Sequence, residues 1–386
     1  MKITKIEGHH VRIPLVYPAK WSGGTRRAAP AYLIEIHTDE GVVGLGECVG
    51  PTIPVISAIV KEELCQFLIG QDPLNTELLV RKMEEFARNW LQLGAYAIAG
   101  IEMALLDIKG KWLDTPVYQL LGGRCKKEVG YAGYLFIDQP EQNARRALAY
   151  KEQGYTEIKL KVGRDLNQDA DTLAAIREAI GGEIKIRVDA NMNWSVPTAI
   201  KWIRALQKYD IQYVEQPVPD YDLDGMAAVR RAVDLPIAAD ESCSSVERVL
   251  ELIKRDCCDV FVVYVSEAGG LSRARTIASI ADACGRWCVM GTWAETGVAT
   301  IAGAHVIASS TNFVFCNDSH YMLQSDDVIT RPLQIVNGGI ALPQGPGLGI
   351  ALDPQKLDEF KRCDLRESVF FDNIDDDQMP RIGQIL

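Results

Sequence analysis

The chain lacks any excess of positive charge. Its 386 residues carry 41 lysines and arginines against 52 aspartates and glutamates, a formal net charge of −11. That balance argues against a nucleic-acid partner, which would need a basic surface. No long hydrophobic run is present either. The apolar stretches are too short, or too interrupted by charge, to span a bilayer, so no membrane partner is expected. Blocks of like charge that would read as a solvated tail are missing. Ten cysteines occur, but they are scattered; Cys257-Cys258 and Cys284/Cys288 are close, and neither belongs to a doubled C-x-x-C pattern. A structural zinc site is therefore not expected. With no segment that reads as a signal peptide, reduced thiols in a cytoplasm are the simpler expectation. What the chain does have is apolar content: 47% of residues are hydrophobic, which excludes global disorder and allows a sizeable core.

The first fifty residues read as antiparallel β-structure. Thr4 to Leu15, Ala31 to His37 and Val42 to Val49 are β-rich, with a turn at Asp39-Glu40-Gly41. Trp21 to Arg27 is too Gly-rich and polar for a strand and reads as a mobile loop. Helical spacing follows over Pro54 to Ile69, Asn75 to Asn89 and Ala95 to Leu113, the last with Ile98, Ile101, Leu105 and Ile108 on one stripe. The pattern then changes to alternating strands and helices. Strands are predicted at Val129 to Tyr134, Glu157 to Val162, Ile184 to Asp189, Tyr213 to Glu215, Ile237 to Asp240, Val260 to Val265, Trp287 to Gly291 and Phe313 to Phe315. From Lys161 to Asp189 is 28 residues, then 26 to Glu215, 25 to Asp240 and 24 to Tyr264. A period of that size is one βα unit, and eight such strands imply a closed parallel barrel. The expected domains are residues 1–124 as an α+β cap, 125–320 as the barrel, and 321–386 as a segment returning to the cap.

Catalytic residues of such barrels sit at the C-terminal ends of strands. Asp189, Glu215 and Asp240 all fall there, on three successive strands. Neighbouring strands lie ~4.8 Å apart, so three carboxylates can converge on one cation. Each acid alone could be a helix cap or a solvated loop residue; three in succession at the repeat interval point to a metal site. All-oxygen ligation favours Mg²⁺, with Mn²⁺ possible, over zinc. Lys159 and Lys161 flank Leu160 on one strand and so share a face. They could be a solvated strand end. Beside a dication, each would depress the other's pKa from ~10.4 toward the ~7–8 that a lysine base needs. Lys161, nearer the strand end, is the candidate base, and Lys159 would tune it and contact substrate. Metal plus lysine suits abstraction of a proton α to a carboxylate, giving an enediolate that the metal stabilises.

The chain resembles the enolase superfamily, specifically the mandelate racemase/muconate lactonizing enzyme family. The matching phrases are Gly100 to Asp107 with Lys109-Gly110-Lys111, Leu121-Gly122-Gly123, Lys159-Leu160-Lys161, Asp189-Ala190-Asn191, Glu215-Gln216-Pro217, Asp240-Glu241-Ser242 and Gly269-Gly270-Leu271. The resemblance implies a (β/α)₇β modified TIM barrel under an α+β capping domain. It also implies Mg²⁺ on Asp189, Glu215 and Asp240, Lys161 as the acid/base, a small-molecule carboxylate as substrate, and a homo-oligomer. The lysine pair is similar to the muconate cycloisomerase subgroup. That subgroup carries a second lysine where this chain has Tyr264, which could donate a proton or simply fill the barrel mouth. Lacking a second lysine, the chain is expected to work on one face of its substrate, by cycloisomerisation or syn-dehydration. The alternatives are a racemase or epimerase using Lys161 and Tyr264, and a metal-binding protein without catalysis. Further candidates for the site are Asn191, Glu241, Trp293 as a pocket wall, and Glu295 bonding to substrate or to a lysine. Trp21, Arg26 and Arg27 belong to the substrate loop; either arginine could grip a distal carboxylate or be solvated. His305 is expected to be a packing residue.

Overall fold

The computed structural model describes residues 1–362. The N-terminal sheet is a three-stranded antiparallel meander of β1 (Ile3–Trp21), β2 (Gly24–Thr38) and β3 (Val43–Cys48). β1 is an edge strand, which is why it tolerates Pro14 and Pro18; its register shifts between Pro14 and Ala19. The segment Trp21 to Arg27 is not a loop. Ala19 pairs with Arg26, Lys20 with Thr25 and Trp21 with Gly24, so the hairpin continues to its tip. The glycines that argued against a strand instead make the turn. Against this sheet pack the helical segments between Ile53 and Leu68 and the helix Gln92–Trp112, and the helix Thr76–Ala87 packs on the latter.

β4 (Glu128–Gly130) and β5 (Gly133–Leu135) divide what reads in the sequence as one strand. β4 pairs antiparallel with β12 (Gly339–Ala341), and only β5 enters the barrel. The parallel sheet then runs through β6 (Glu157–Lys161), β7 (Lys185–Asp189), β8 (Ile211–Glu215), β9 (Ile237–Ala239), β10 (Val260–Val263) and β11 (Trp287–Met290). The eighth position is reduced to bridges. Cys288 pairs with Phe313 on one side and Tyr131 with Asn317 on the other, with Asp318 N donating to Met290 O at 2.8 Å. These contacts close the barrel without a regular eighth strand, correcting the strand expected at Phe313 to Phe315.

Inward-facing residues stack in layers. Tyr213, Ala238, Val260, Val262 and Val289 form a small apolar plug. A charged layer includes Arg187, which is fully buried and donates to Asp318 Oδ1 (2.6 Å) and Glu157 Oε2 (2.8 Å). After the barrel the chain runs back along the N-terminal sheet. Leu15 bridges Gln324, Val11 bridges Lys361, and Arg362 N donates to His10 O. The rest of the expected C-terminal segment, 363–386, lies outside the described residues. The described cysteines are free thiols, and no described helix is long and apolar enough to cross a membrane.

Two acids from the N-terminal region grip the barrel by its helix starts. Glu102, on Gln92–Trp112, accepts from Leu271 N (2.7 Å), Ser272 N (3.1 Å) and Ser272 Oγ (2.5 Å) at the head of the helix Leu271–Ala283. Glu47, in β3, accepts from Thr296 N (2.8 Å), Thr296 Oγ1 (2.7 Å) and Ala299 N (2.7 Å) at the head of the helix Gly297–Ala308. Helix N-termini leave amides unpaired and favour negative charge, so both acids cap across the joint. Gly270 has φ +134°, and a Cβ there would come within 2.6 Å of the Glu102 carboxylate. The Gly269-Gly270 phrase makes room for that cap.

Candidate active site

β6 ends on Lys161, β7 on Asp189 and β8 on Glu215, and Asp240 directly follows β9. In register, Lys161 pairs with Asp189 and Asp189 with Glu215. The three acids are buried, and one carboxylate oxygen from each lies within 4.8 Å of the others. Gln216 ties two of their strands together. Its Oε1 accepts from Asp240 N (2.9 Å) and Ser242 N (3.3 Å), while its Nε2 donates to Ser242 Oγ (2.8 Å) and Val218 O (2.9 Å). A glutamine after Glu215 therefore sets where Asp240 sits.

Three carboxylates so close and so dry cannot all ionise. Burial, then Asp189, pushes Glu215 well above the usual carboxylate range. Burial, then Glu241, does the same to Asp240. Burial also works against Asp189, but Lys161 and Lys159 overcome it and hold its pKa below the usual value. Glu215 Oε2 is buried and makes no hydrogen bond. An orphaned oxygen within an all-oxygen acidic cluster is a good fit for a hard divalent cation. A second cluster, Glu7, Glu35 and His37, is half-exposed, and its groups already pair: His37 with Glu7 and His9 with Glu35.

The two lysines separate. Lys161 lines the cavity and donates to Asp189 Oδ2 at 2.5 Å. Lys159 lies deeper and nearly fully buried, bonded to Glu215, to Asp318 Oδ2 (2.7 Å) and to Asp189 Oδ2 (3.2 Å). Lys159 does depress Lys161 as expected, but the neighbouring carboxylates outweigh it. Burial disfavours both charges, yet for Lys161 the Asp189 carboxylate, and for Lys159 the Asp318 and Glu215 carboxylates, raise the pKa above the usual lysine value. Lys159 does not reach the cavity where a substrate contact was expected; it locks the acids in place.

The cavity has a volume of about 280 Å³. Lys161, Asn191, Asp240 and Glu241 form one side, and Tyr134, Phe136 and His320 another. Tyr264, Glu267, Thr292 and Trp293 continue the wall, and Trp21, Ser22 and Arg26 come from the hairpin tip. That tip is fastened at two points of the rim: Ser22 Oγ donates to Ala190 O (3.1 Å), and Arg26 Nη1 to Trp293 O (2.7 Å). Arg26 is buried, whereas Arg27 is exposed and does not line the cavity. Asn191 has φ +44° and points its Nδ2 at Glu241 Oε1, 3.1 Å away. Trp293 does form a wall; its Nε1 donates to Glu267 Oε1 (2.7 Å). Glu295 bonds neither lysine: it accepts from Thr292 Oγ1 (2.5 Å) and Trp293 N (2.8 Å), shaping the turn after β11. His305 is a satisfied core residue, with Nδ1 accepting from Tyr118 N and Nε2 at 3.2 Å from Leu348 O.

Tyr264 follows β10, across the barrel from Lys161 on β6. Its ring packs on Gly291, where a Cβ would lie 2.3 Å from the nearest ring atom. Burial, then Asp240, pushes its pKa well above the ordinary phenol value, so it keeps its proton.

Sequence reasoning missed Arg187, Asp318, Tyr134, Glu267 and His320. Arg187 stands two residues before Asp189 and shares its face by the strand period, a signal that was available. Asp318 and His320 lie in chain with no regular pattern.

The described fold has close counterparts. Residues 3–122 match the family described as "Mandelate racemase / muconate lactonizing enzyme, N-terminal domain", and residues 142–356 match "Enolase C-terminal domain-like". The N-succinyl-L-Arg/Lys racemase of Bacillus cereus is 33% identical, over 93% of this chain and 98% of its own. A crystal structure of a dipeptide epimerase from Enterococcus faecalis, complexed with Mg and the dipeptide L-Leu-L-Tyr, superposes with a TM-score of 0.84 at 32% identity, covering 91% of this chain and 100% of that one. The muconate lactonizing enzyme from Pseudomonas fluorescens, complexed with muconolactone, gives 0.89 at 29% identity, covering 94% and 99%.

Proposed function

The chain belongs to the mandelate racemase/muconate lactonizing enzyme family of the enolase superfamily, and from that premise we propose that it removes the α-proton of a small carboxylate with Lys161 and completes the reaction on that same face. It is an enzyme of that superfamily, so the non-catalytic alternative gives way. Asp189, Glu215 and Asp240 would hold a divalent cation, Mg²⁺ being the best match to an all-oxygen set. When bound, such an ion balances the acids' charge and polarises a substrate carboxylate, which acidifies its α-carbon.

The chain's own residues do the rest. Lys161 presents its Nζ to the cavity from the strand beside Asp189; with the Asp189 charge engaged by a cation, that carboxylate would no longer hold the lysine protonated, and the neutral amine would take the proton. Lys159 and Arg187, through Asp318 and Glu215, keep the acids and the base from shifting. The hairpin tip, fastened at Ala190 and Trp293, forms part of the cavity wall. The single observation that carries the one-face reading is Tyr264. The group opposite Lys161 is a phenol held protonated, not a second amine. Cycloisomerisation and syn-elimination of water both need only one base.

Racemisation is the competing outcome, since racemases and epimerases stand among the relatives. It would need Tyr264 to deliver a proton to the other face. The deciding experiment is incubation of the magnesium-loaded enzyme with chiral acids in D₂O. One-face chemistry predicts α-deuteration of one enantiomer only. Interconversion of both enantiomers, each exchanging, would refute it.

A further inference from the structure

The cavity wall holds an acid that neither belongs to the metal cluster nor moves the proton. Glu267 stands three residues past Tyr264, in the short helix Val265–Ala268 after β10, and lines the cavity while only 7% exposed. Its Oε1 accepts from Tyr96 OH (3.1 Å) and Trp293 Nε1 (2.7 Å), which fixes the direction of the whole carboxyl group. No described group donates to Oε2, which, unlike Glu215 Oε2, is not sealed inside the protein and so opens on the cavity.

A counter-charge is what this acid lacks. Asp189 has Lys161, and Glu295 has the charge of Arg26 nearby. Among the described residues, the titratable groups facing Glu267 are Tyr96 from the helix Gln92–Trp112, Cys243 beyond Asp240, Tyr264 and Glu295, and none is a cation. A buried carboxylate without a counter-charge is costly, and burial accordingly holds this carboxyl up at about 7. The surroundings are aromatic. Trp293 stands edge-on to Tyr96, with centroids 5.9 Å apart at 90°, and tilted to Tyr264 at 6.3 Å. An oxygen presented from among aromatic rings suits an alkylammonium: the oxygen takes an N–H and the charge, and ring faces attract the cation as well. The arrangement leaves the missing counter-charge to the ligand.

We infer that Glu267 is a specificity-determining residue whose Oε2 accepts an N–H from an ammonium group of the substrate, so that the substrate class is a carboxylate that also carries a cationic nitrogen. The inference rests on the proposed reading only in taking Asp189, Glu215, Asp240 and Lys161 as the reacting end.

The test is calorimetric titration of magnesium-loaded protein with cyclohexanecarboxylate and with piperidine-2-, piperidine-3- and piperidine-4-carboxylate. These rings are nearly equal in size and differ in whether, and where, a ring CH₂ is replaced by a charged NH₂⁺. At pH 8 one piperidine isomer should bind the wild type more tightly than the neutral ring by about tenfold or more, the weight of a hydrogen bond between charged groups. Glu267→Gln, which keeps the size and removes the charge, should bring that ratio to near unity. Glu267→Asp, which keeps the charge on a shorter arm, should retain part of it. The wild type supplies a second readout that needs no variant. With its carboxyl at about 7, Glu267 is mostly protonated at pH 6 and must release that proton to hold the ammonium. The preferred isomer should therefore release about one more proton than the neutral ring at pH 6, and no more than the neutral ring at pH 8.5. No preferred isomer, a ratio unchanged in Glu267→Gln, or equal proton release at pH 6 would each overturn the assignment. Neither readout involves α-proton transfer. An intact preference without α-deuteration would therefore count against Lys161 and leave Glu267 standing.

Discussion

Lys161 and Tyr264 face each other across the barrel but differ in what they can do with a proton. Lys161→Ala should lower α-deuteration by ~10²–10⁴-fold, the usual contribution of a general base. Tyr264→Phe should lower it by less than about tenfold if the phenol is no base. Equal losses in the two variants, read by NMR, would discredit the one-base reading. Glu267 offers a separate check on the electrostatics of the cavity. Burial pushes its carboxyl up from 4.5 to about 7, although Trp293 Nε1 and Tyr96 OH donate to it. Between those pH values the folded protein holds a proton that the unfolded chain has released. The group's favourable contribution is thus complete below about 4.5 and is lost as pH rises through 7. Glu267→Gln, which cannot titrate, should remove up to about 3 kcal/mol of that decline. Parallel slopes of melting temperature against pH for variant and wild type would contradict it.

At the scale of elements, family phrases acquire mechanical reasons. Glu102 was legible as part of Gly100 to Asp107 and Gly270 as part of Gly269-Gly270, yet the sequence did not show that they meet. Their contact joins a helix near residue 100 to one near 270, and no local propensity encodes it. Glu102→Ala should cost about 1–3 kcal/mol, because it uncaps a helix and leaves buried amides unpaired. A denaturant midpoint unchanged from wild type would show that water replaces the cap without loss. The hairpin Trp21 to Arg27 was misread for a related reason. Glycine at a turn and glycine in a loop look alike in sequence; only pairing of Ala19 with Arg26 distinguishes them. The eighth strand failed as an element because its work is done by a few bridges and the Asn317 side chain, which accepts from Met290 N at 2.9 Å.

At the scale of the whole molecule, the acidic cluster is a stored repulsion. Closing the barrel forces Asp189, Glu215 and Asp240 together, and a bound cation would relieve the penalty. Added Mg²⁺ should therefore raise the melting temperature, by an amount equivalent to ~2.7 kcal/mol at a hundredfold excess over Kd, and EDTA should reverse it. Glu215→Gln should blunt that response. A wild-type melting temperature insensitive to Mg²⁺ and Mn²⁺ would remove the metal from the site.

The sequence by itself determined the βα period, the barrel and the strand ends that carry the three acids and the lysine pair, since strand ends at regular intervals are local patterns with a known spatial consequence. Tertiary structure alone decided which lysine faces the cavity. It also decided that Asp318 and Arg187 complete the charged layer and that His320 packs on Tyr134 and Phe136 at the cavity wall. Those residues come from irregular chain or from distant strands. Barrel closure brings them together, and no periodicity along the chain records which side chains will meet across it.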